Sequence, residues 1–446
     1  MSRILIVGAH PLPMDTGNTL FALGLRTWHL TKPLLDDGHE ICLFTGQVPP
    51  PKEEQMNISD EVIQKDRLTW HKIGHIDRYV NTEILQSIHD SFKPDAILGI
   101  NTFPASVASR LKTDKPFWLD LNGSLMMEAQ AKAALDENNK MISVYWEQEQ
   151  ACLRAGDKFS TVSLPQMYLL LGELAVLRRL NSHTFGYSFA TPIPNSVEHC
   201  EYQPQKRVIR GTHVKEEDFV ILWSGGYNTW TDVALLFQSL ETLMAEYPQV
   251  HFVSTGGAIP HHNEDTYHQF QELIKTSKYL DRYHLLGWVP TDDIHEYYFE
   301  SNLGISLDTF NYETLTGARN RLIHMMKCGL PVLTTLGTEI SEVISRENLG
   351  LTVPIGSPEL FIQALRTAVN HPEELRQTGI RGKQYIQDHY TFEKTTRDLR
   401  EWMKHPTLSP DKIVLIEQSP SEPPHSQKKP WELARDYFRK LLNRSI

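Results

Sequence analysis

The sequence predicts an α/β chain of two Rossmann-like domains, each a doubly wound parallel sheet. Three observations lead there. Short apolar runs alternate with helix-like stretches, the alternation stops near Pro194 and restarts at Phe219, and 446 residues exceed what one compact core holds. The first run, 3–7, is mostly β-branched and ends at Gly8; a helix-like stretch to Leu35 and the run 41–44 complete a strand–helix–strand unit. Runs at 96–100 and 116–120 extend it. After a polar stretch over 206–218 a second unit opens with the run 219–224, and its further strands are expected at 251–254, 284–286, 303–307, 331–335 and 350–353. The domains are therefore 1–195 and 196–390, followed by a helix over 391–404 returning to the first domain. A tail over 405–446 reads as a linker rich in Pro and Ser and then a short amphipathic helix over 431–442.

Bulk properties narrow the function. Hydrophobic content of 40% with 22% charged residues is that of an ordinary globular protein, and no stretch of about 18 apolar residues offers a membrane span. Any membrane contact would be peripheral. A formal charge of −11 disfavours nucleic-acid binding, which needs a cationic surface. Four cysteines in unlike contexts fit neither a disulfide framework nor a CxxC metal site, and the chain opens on a strand instead of a secretory signal, so a cytoplasmic setting is expected. His261-His262 tempts a metal reading, but adjacent histidines point apart and no tetrahedral set accompanies them; no metal is expected.

Several strands end in glycine where a helix should begin: Asp15-Thr16-Gly17, Ser224-Gly225-Gly226 and Thr255-Gly256-Gly257. Backbone N–H groups at such ends make an anion site. None is a GxGxxG fingerprint, which disfavours a nicotinamide enzyme. The segment 313–335 reads as a loop opening a helix near Gly317, stopped at Gly329, with a buried strand from Pro331; Arg319 and Arg321 near the helix start are candidates to neutralise a diphosphate. In the first domain, Asp120 and Asn122 lie at a strand's carboxyl end. Asp120 is either part of an Asx turn or a base for an incoming hydroxyl, with Glu128, Gln130 and His10 as further candidates on that side.

On these residues the chain resembles the retaining nucleotide-sugar glycosyltransferases of family four. The resemblance runs in order through Gly17, Gly38-His39-Glu40, Ser160-Thr161-Val162-Ser163, Ile193-Pro194-Asn195-Ser196, Gly287-Trp288-Val289 and Lys327-Cys328-Gly329-Leu330-Pro331-Val332. It implies the GT-B fold, two Rossmann-like domains facing across a cleft, and metal-independent transfer of a hexosyl or deoxyhexosyl group with retention, the leaving phosphate assisting deprotonation. No cofactor is implied beyond the nucleotide sugar, UDP-, GDP- or dTDP-linked, and the acceptor is a small molecule, a lipid-linked molecule or a glycan. The expected donor residues are Gly17, Gly225, Gly226, Gly256, Val289, Thr316, Gly317, Arg319, Arg321 and His324; Arg319 and Arg321 are read from this sequence to take over the phosphate charge, with Gly225 and Gly226 letting the backbone approach, and are not positions the family pattern names. Departures are equally specific. Thr316 and His324 stand where the family carries two glutamates, Asn122 where it often has a histidine, and no Arg/Lys pair follows Ser224. A sugar-nucleotide epimerase on the same fold and a degenerate nucleotide-sugar-binding protein are the rival readings.

Overall fold

The computed structural model describes residues 1–15, 20–47, 59–259 and 264–417. Gly17, the His261-His262 pair and the tail helix expected over 431–442 lie outside the described residues. Within them the chain forms two sheets. The first contains β1 (Arg3–His10), β2 (Glu40–Gln47), β3 (Glu61–Lys65), β4 (Leu68–Ile73), β5 (Ala96–Ile100), β6 (Phe117–Leu121), β7 (Lys158–Thr161) and β8 (Ala190–Pro192), in the order β3-β4-β2-β1-β5-β6-β7-β8. The second contains β9 (Phe219–Ser224), β10 (Val250–Thr255), β11 (Tyr283–Gly287), β12 (Leu303–Ser306), β13 (Val332–Thr335) and β14 (Leu351–Val353), in the order β11-β10-β9-β12-β13-β14. All pairings are parallel except β3 with β4. That hairpin, turning at Asp66 with φ 51°, has no counterpart in the sequence reading, because β3 is polar and mostly exposed and so lacks the apolar signal.

Helices cover both faces of each sheet, which is why the central strands read as continuous apolar runs. Ile4, Leu5, Ile6 and Val7 of β1 are fully buried, as are Val220, Ile221 and Leu222 of β9. Two apolar clusters fill each domain, one per face of its sheet. The helix Arg397–Lys404 seats Leu399 and Met403 in the N-terminal core, with Trp402 edge-on to Trp118, so the end of the described chain packs on the first domain. The linker reading of the tail needs correction where it overlaps the described chain. Residues Pro410–Glu417 form a helix, held down by an Asp411 carboxylate that accepts from Arg179 and by Lys412 paired with the buried Asp157. Pro410 at its start and buried ionic partners explain the order there.

Each sheet has one topological switch point, β1/β5 in the first and β9/β12 in the second. Loops beyond the carboxyl ends of both sheets meet each other. Ser163 Oγ, after β7, donates to the Thr316 carbonyl at 2.6 Å, Leu20 N donates to Thr291 Oγ1 at 3.3 Å, and Phe21 lies edge-on to Trp288 with ring centroids 5.7 Å apart. A cleft between the two switch points follows, the place where open α/β sheets bind ligands.

Candidate active site

On the N-terminal side Asp120 does not face the cleft as a base would. It is fully buried, its carboxylate receives Arg26 Nε at 3.0 Å and Nη2 at 2.6 Å, and Ser160 Oγ donates to it at 2.6 Å. The sequence concealed this because Arg26 sits 94 residues away in a helix whose buried face looks apolar only in part. The expected catalytic role of Asp120 is therefore corrected to a structural one: the carboxylate is fully buried and held in a bidentate pair with Arg26, with Ser160 as a third donor. Asn122, two residues on, is half-buried and donates through Nδ2 to Asn101 Oδ1 at 3.0 Å. Asn101 was missed by the sequence reading. It follows β5 at the switch point, is buried, and adopts φ 69° and ψ 150°, a region that costs a side-chain-bearing residue strain and that tends to mark functional positions. Its signal was an Asn directly after a fully apolar strand.

Glu128 lies on the helix Leu125–Leu135, capped by Ser124 Oγ, which accepts from Met127 N. Its Oε1 would stand 2.8 Å from a Cβ placed on Gly123, so the carboxyl hangs over the Asn122–Gly123 turn. Burial, together with the facing Glu313, pushes that carboxyl up to about 8 against the pull of Arg319. His10, at the end of β1, is buried with Nδ1 against Thr45 Oγ1 at 3.0 Å and Nε2 without a partner; burial and the neighbouring Lys72 bring it down to about 4, so it is neutral. Gln130 is exposed on the same helix as Glu128.

On the C-terminal side the backbone itself shapes the site. Gly256 (φ 157°) brings β10 so near the end of β9 that a Cβ would lie 2.1 Å from the Gly225 carbonyl oxygen, and Gly225 and Gly287 take positive φ with open space above them. Val289 is half-buried beside the exposed Trp288, whose Nε1 donates to the Ala258 carbonyl at 2.9 Å.

The two arginines separate. Arg319 is not a phosphate clamp: its buried guanidinium donates to Asp308 Oδ2 at 2.9 Å and to both Glu313 oxygens at 3.0 and 2.9 Å, and it lies over Trp230. Burial opposes its charge, but the two carboxylates outweigh burial and hold it protonated. Arg321 differs. Its Nη2 donates to the Gly226 carbonyl at 2.6 Å, its guanidinium stacks 4.0 Å over Trp223, and its Nη1 has no partner. Burial, with Arg319 nearby, lowers it to about 10, which still leaves it cationic at neutral pH. An unpaired cationic donor behind an open glycine turn is what an anionic ligand completes. Thr316 and Gly317 are engaged within the protein, Thr316 Oγ1 bonding to the Tyr312 carbonyl and Gly317 lying against Glu313. His324 is half-buried, and burial beside Lys327 lowers it to about 4.

Two facing doubly wound sheets with a cleft at their switch points define the GT-B class of fold. Residues 218–371 match the family model described as glycosyl transferases group 1, which makes the second domain a glycosyltransferase domain and the chain a glycosyltransferase. No curated protein matches the chain in sequence. Among solved structures it is similar to sucrose-phosphate synthase from Thermosynechococcus elongatus, at 16% identity and a TM-score of 0.65 over 91% of this chain and 98% of that one. It is also similar to an alpha,alpha-trehalose-phosphate synthase (UDP-forming) from Burkholderia vietnamiensis, at 11% identity and TM-score 0.61 over 91% and 100% of the chains. HepE from Anabaena, solved in complex with UDP-glucose, gives 12% identity and TM-score 0.60 over 91% and 100%.

Proposed function

We propose that this glycosyltransferase moves a hexosyl or deoxyhexosyl group from a nucleotide-diphosphate sugar to an acceptor hydroxyl with retention of configuration, in the cytoplasm. The observation that carries the donor reading is Arg321: a buried cation with a free Nη1 behind the Gly225–Gly226 turn, where an incoming diphosphate would supply the missing acceptor. Gly256 and Gly287 let the backbone approach, and the Trp288–Val289 edge offers a surface for the base. The leaving diphosphate's charge then meets a preorganised arginine and backbone amides, with no metal required in this reading. The acceptor enters from the side of Asn122, Glu128, Gln130 and His10. HepE's complex with UDP-glucose favours a UDP donor over GDP or dTDP.

A thermal-shift screen against UDP-, GDP- and dTDP-sugars tests the donor; a ligand at 100 times its Kd stabilises by about 2.7 kcal/mol. No shift with any of them sinks the proposal. NMR of the product anomer tests retention. Thr316 and His324 in place of the usual glutamates favour one rival, a protein that binds the nucleotide sugar without turnover; binding with no nucleotide release in water or with acceptors would establish it. Conversion of the donor to another sugar nucleotide in the absence of acceptor would instead show an epimerase.

A further inference from the structure

The helix Leu164–Val176, which follows β7, is apolar on every side: Gln166, Tyr168 and Glu173 are its only residues with a polar side chain. Its inner face is filled. Leu170 and Leu174 pack in the N-terminal core, and Gln166 Nε2 donates to the Leu121 carbonyl at 2.5 Å. Its outer face is open. Leu164, Tyr168, Gly172 and Val176 recur along it every fourth residue, with Tyr168 61% and Val176 78% exposed, and Leu180 and the 94% exposed Phe185 follow in the chain. A Cβ on Gly172 would meet nothing within 4 Å, so the strip is notched midway, where a partner can lie close to the backbone. A soluble helix that is apolar all round is normally buried, and an exposed apolar strip of this kind marks a contact surface.

We propose that the occupant of this strip is the chain's own segment 431–442. The described chain ends beside the strip: Arg179, three residues beyond Val176, donates to Ser409 and Asp411 at the start of the helix Pro410–Glu417. From Glu417 the residues 418–430, four of them proline, reach about 40 Å at about 3.1 Å per residue. That is about twice the ~20 Å length of the helix Leu164–Val176, so the segment can lie anywhere along it. The sequence pattern fits as well. At helical spacing Trp431, Ala434, Phe438, Leu441 and Leu442 share one face, over about 18 Å, a length that matches the strip. On the other face Glu432 and Asp436 interleave with Arg435, Arg439 and Lys440, whereas a helix that lies on an anionic bilayer has a polar face rich in Lys and Arg alone. Tethering favours the same chain over a second copy, because a short linker holds the segment at an effective concentration on the order of millimolar.

Hydrogen exchange on the full chain tests this. A helix this short is marginal in water by itself, so slow exchange of the 431–442 amides reports docking. In the wild type those amides should exchange at least about tenfold more slowly than an unstructured chain, without lipid and unchanged on dilution. Tyr168→Asp together with Val176→Asp, both at exposed positions, should return them to the unstructured rate while the sheet amides keep their protection. Phe438→Asp should do the same from the other side of the contact. Unstructured rates in the wild type overturn the proposal, as does protection of 431–442 that survives the Tyr168→Asp, Val176→Asp variant. Protection that falls on dilution would make a second copy the occupant, and protection that appears only with phosphatidylglycerol vesicles would make it a lipid surface; either result overturns the proposal too.

Discussion

Arg26, Arg319 and Arg321 show how one residue type takes opposite roles according to its partners. Removing one member of a buried ion pair leaves an uncompensated charge, which costs about 3–5 kcal/mol. Arg26→Met should therefore lower stability by about that amount in chemical denaturation, while the folded fraction keeps nucleotide release within a few-fold of wild type; a specific loss of turnover would return Asp120 to the chemistry. Arg321 sits behind the Gly225–Gly226 turn instead of inside a pair. Arg321→Gln keeps a donor for the Gly226 carbonyl but removes the charge, and donor affinity should fall by about 1.5–3 kcal/mol, read as a smaller thermal shift at fixed ligand. Glu149 and Glu173 give a pH dependence. Burial and neighbouring carboxylates raise Glu149, and burial raises Glu173 to about 7. Carboxyls whose folded values lie above their unfolded ones stabilise fully below about 4.5 and lose that contribution as pH rises through the folded value. Thermal midpoints should decline from about pH 5 to pH 8 through this pair, and the double variant Glu149→Gln, Glu173→Gln should show a shallower decline.

At the scale of elements, the β9 and β10 loops are set by a backbone contact. Gly256 lets the Gly225 carbonyl approach so closely that Gly256→Ala must push the two turns apart, at about 1–3 kcal/mol, and should weaken donor binding along with stability. Equal donor shifts in variant and wild type would place the donor elsewhere. The helix Pro410–Glu417 is held by Arg179, which donates to Asp411 and Ser409 and to the Leu153 and Gly156 carbonyls. Its sequence contains the apolar run 413–416, but the side chain that fixes it is on a distant helix end.

Across the whole molecule, the chain passes between domains twice, and the two crossings are tied together. Val197 N donates to the Tyr390 carbonyl and Phe392 N to the Val197 carbonyl, while His29 bridges Ser196 and Thr395 beneath a stacked Phe392. The cleft is closed above this hinge by Ser163 with Thr316 and by Phe21 with Trp288. Closure excludes water from a reaction that hydrolysis competes with. Phe21→Ala together with Ser163→Ala should raise the share of donor lost to hydrolysis relative to transfer, and an unchanged ratio would show that these contacts do not govern closure.

The sequence by itself marked most of the buried strands and their division into two units, because buried parallel strands must be continuous apolar runs and the helices between them must carry an apolar stripe; the polar β3–β4 hairpin, the short β7 and β8 and the helix Pro410–Glu417 gave no such signal. It also marked the glycine turns after β9 and β10, since glycines at strand ends are a local signal. Only the tertiary structure decided what the polar side chains do. Asp120 looked like a base until Arg26 was brought to it from residue 26, and Arg319 looked like a phosphate ligand until Asp308 and Glu313 enclosed it. Arg321 differs for the converse reason: the fold sets it against the Gly226 carbonyl and Trp223 and leaves its Nη1 unpaired. A charge's role depends on the partners that fold around it, whether they come from a distant helix, as Arg26 does for Asp120, or from the same segment, as Asp308 and Glu313 do for Arg319.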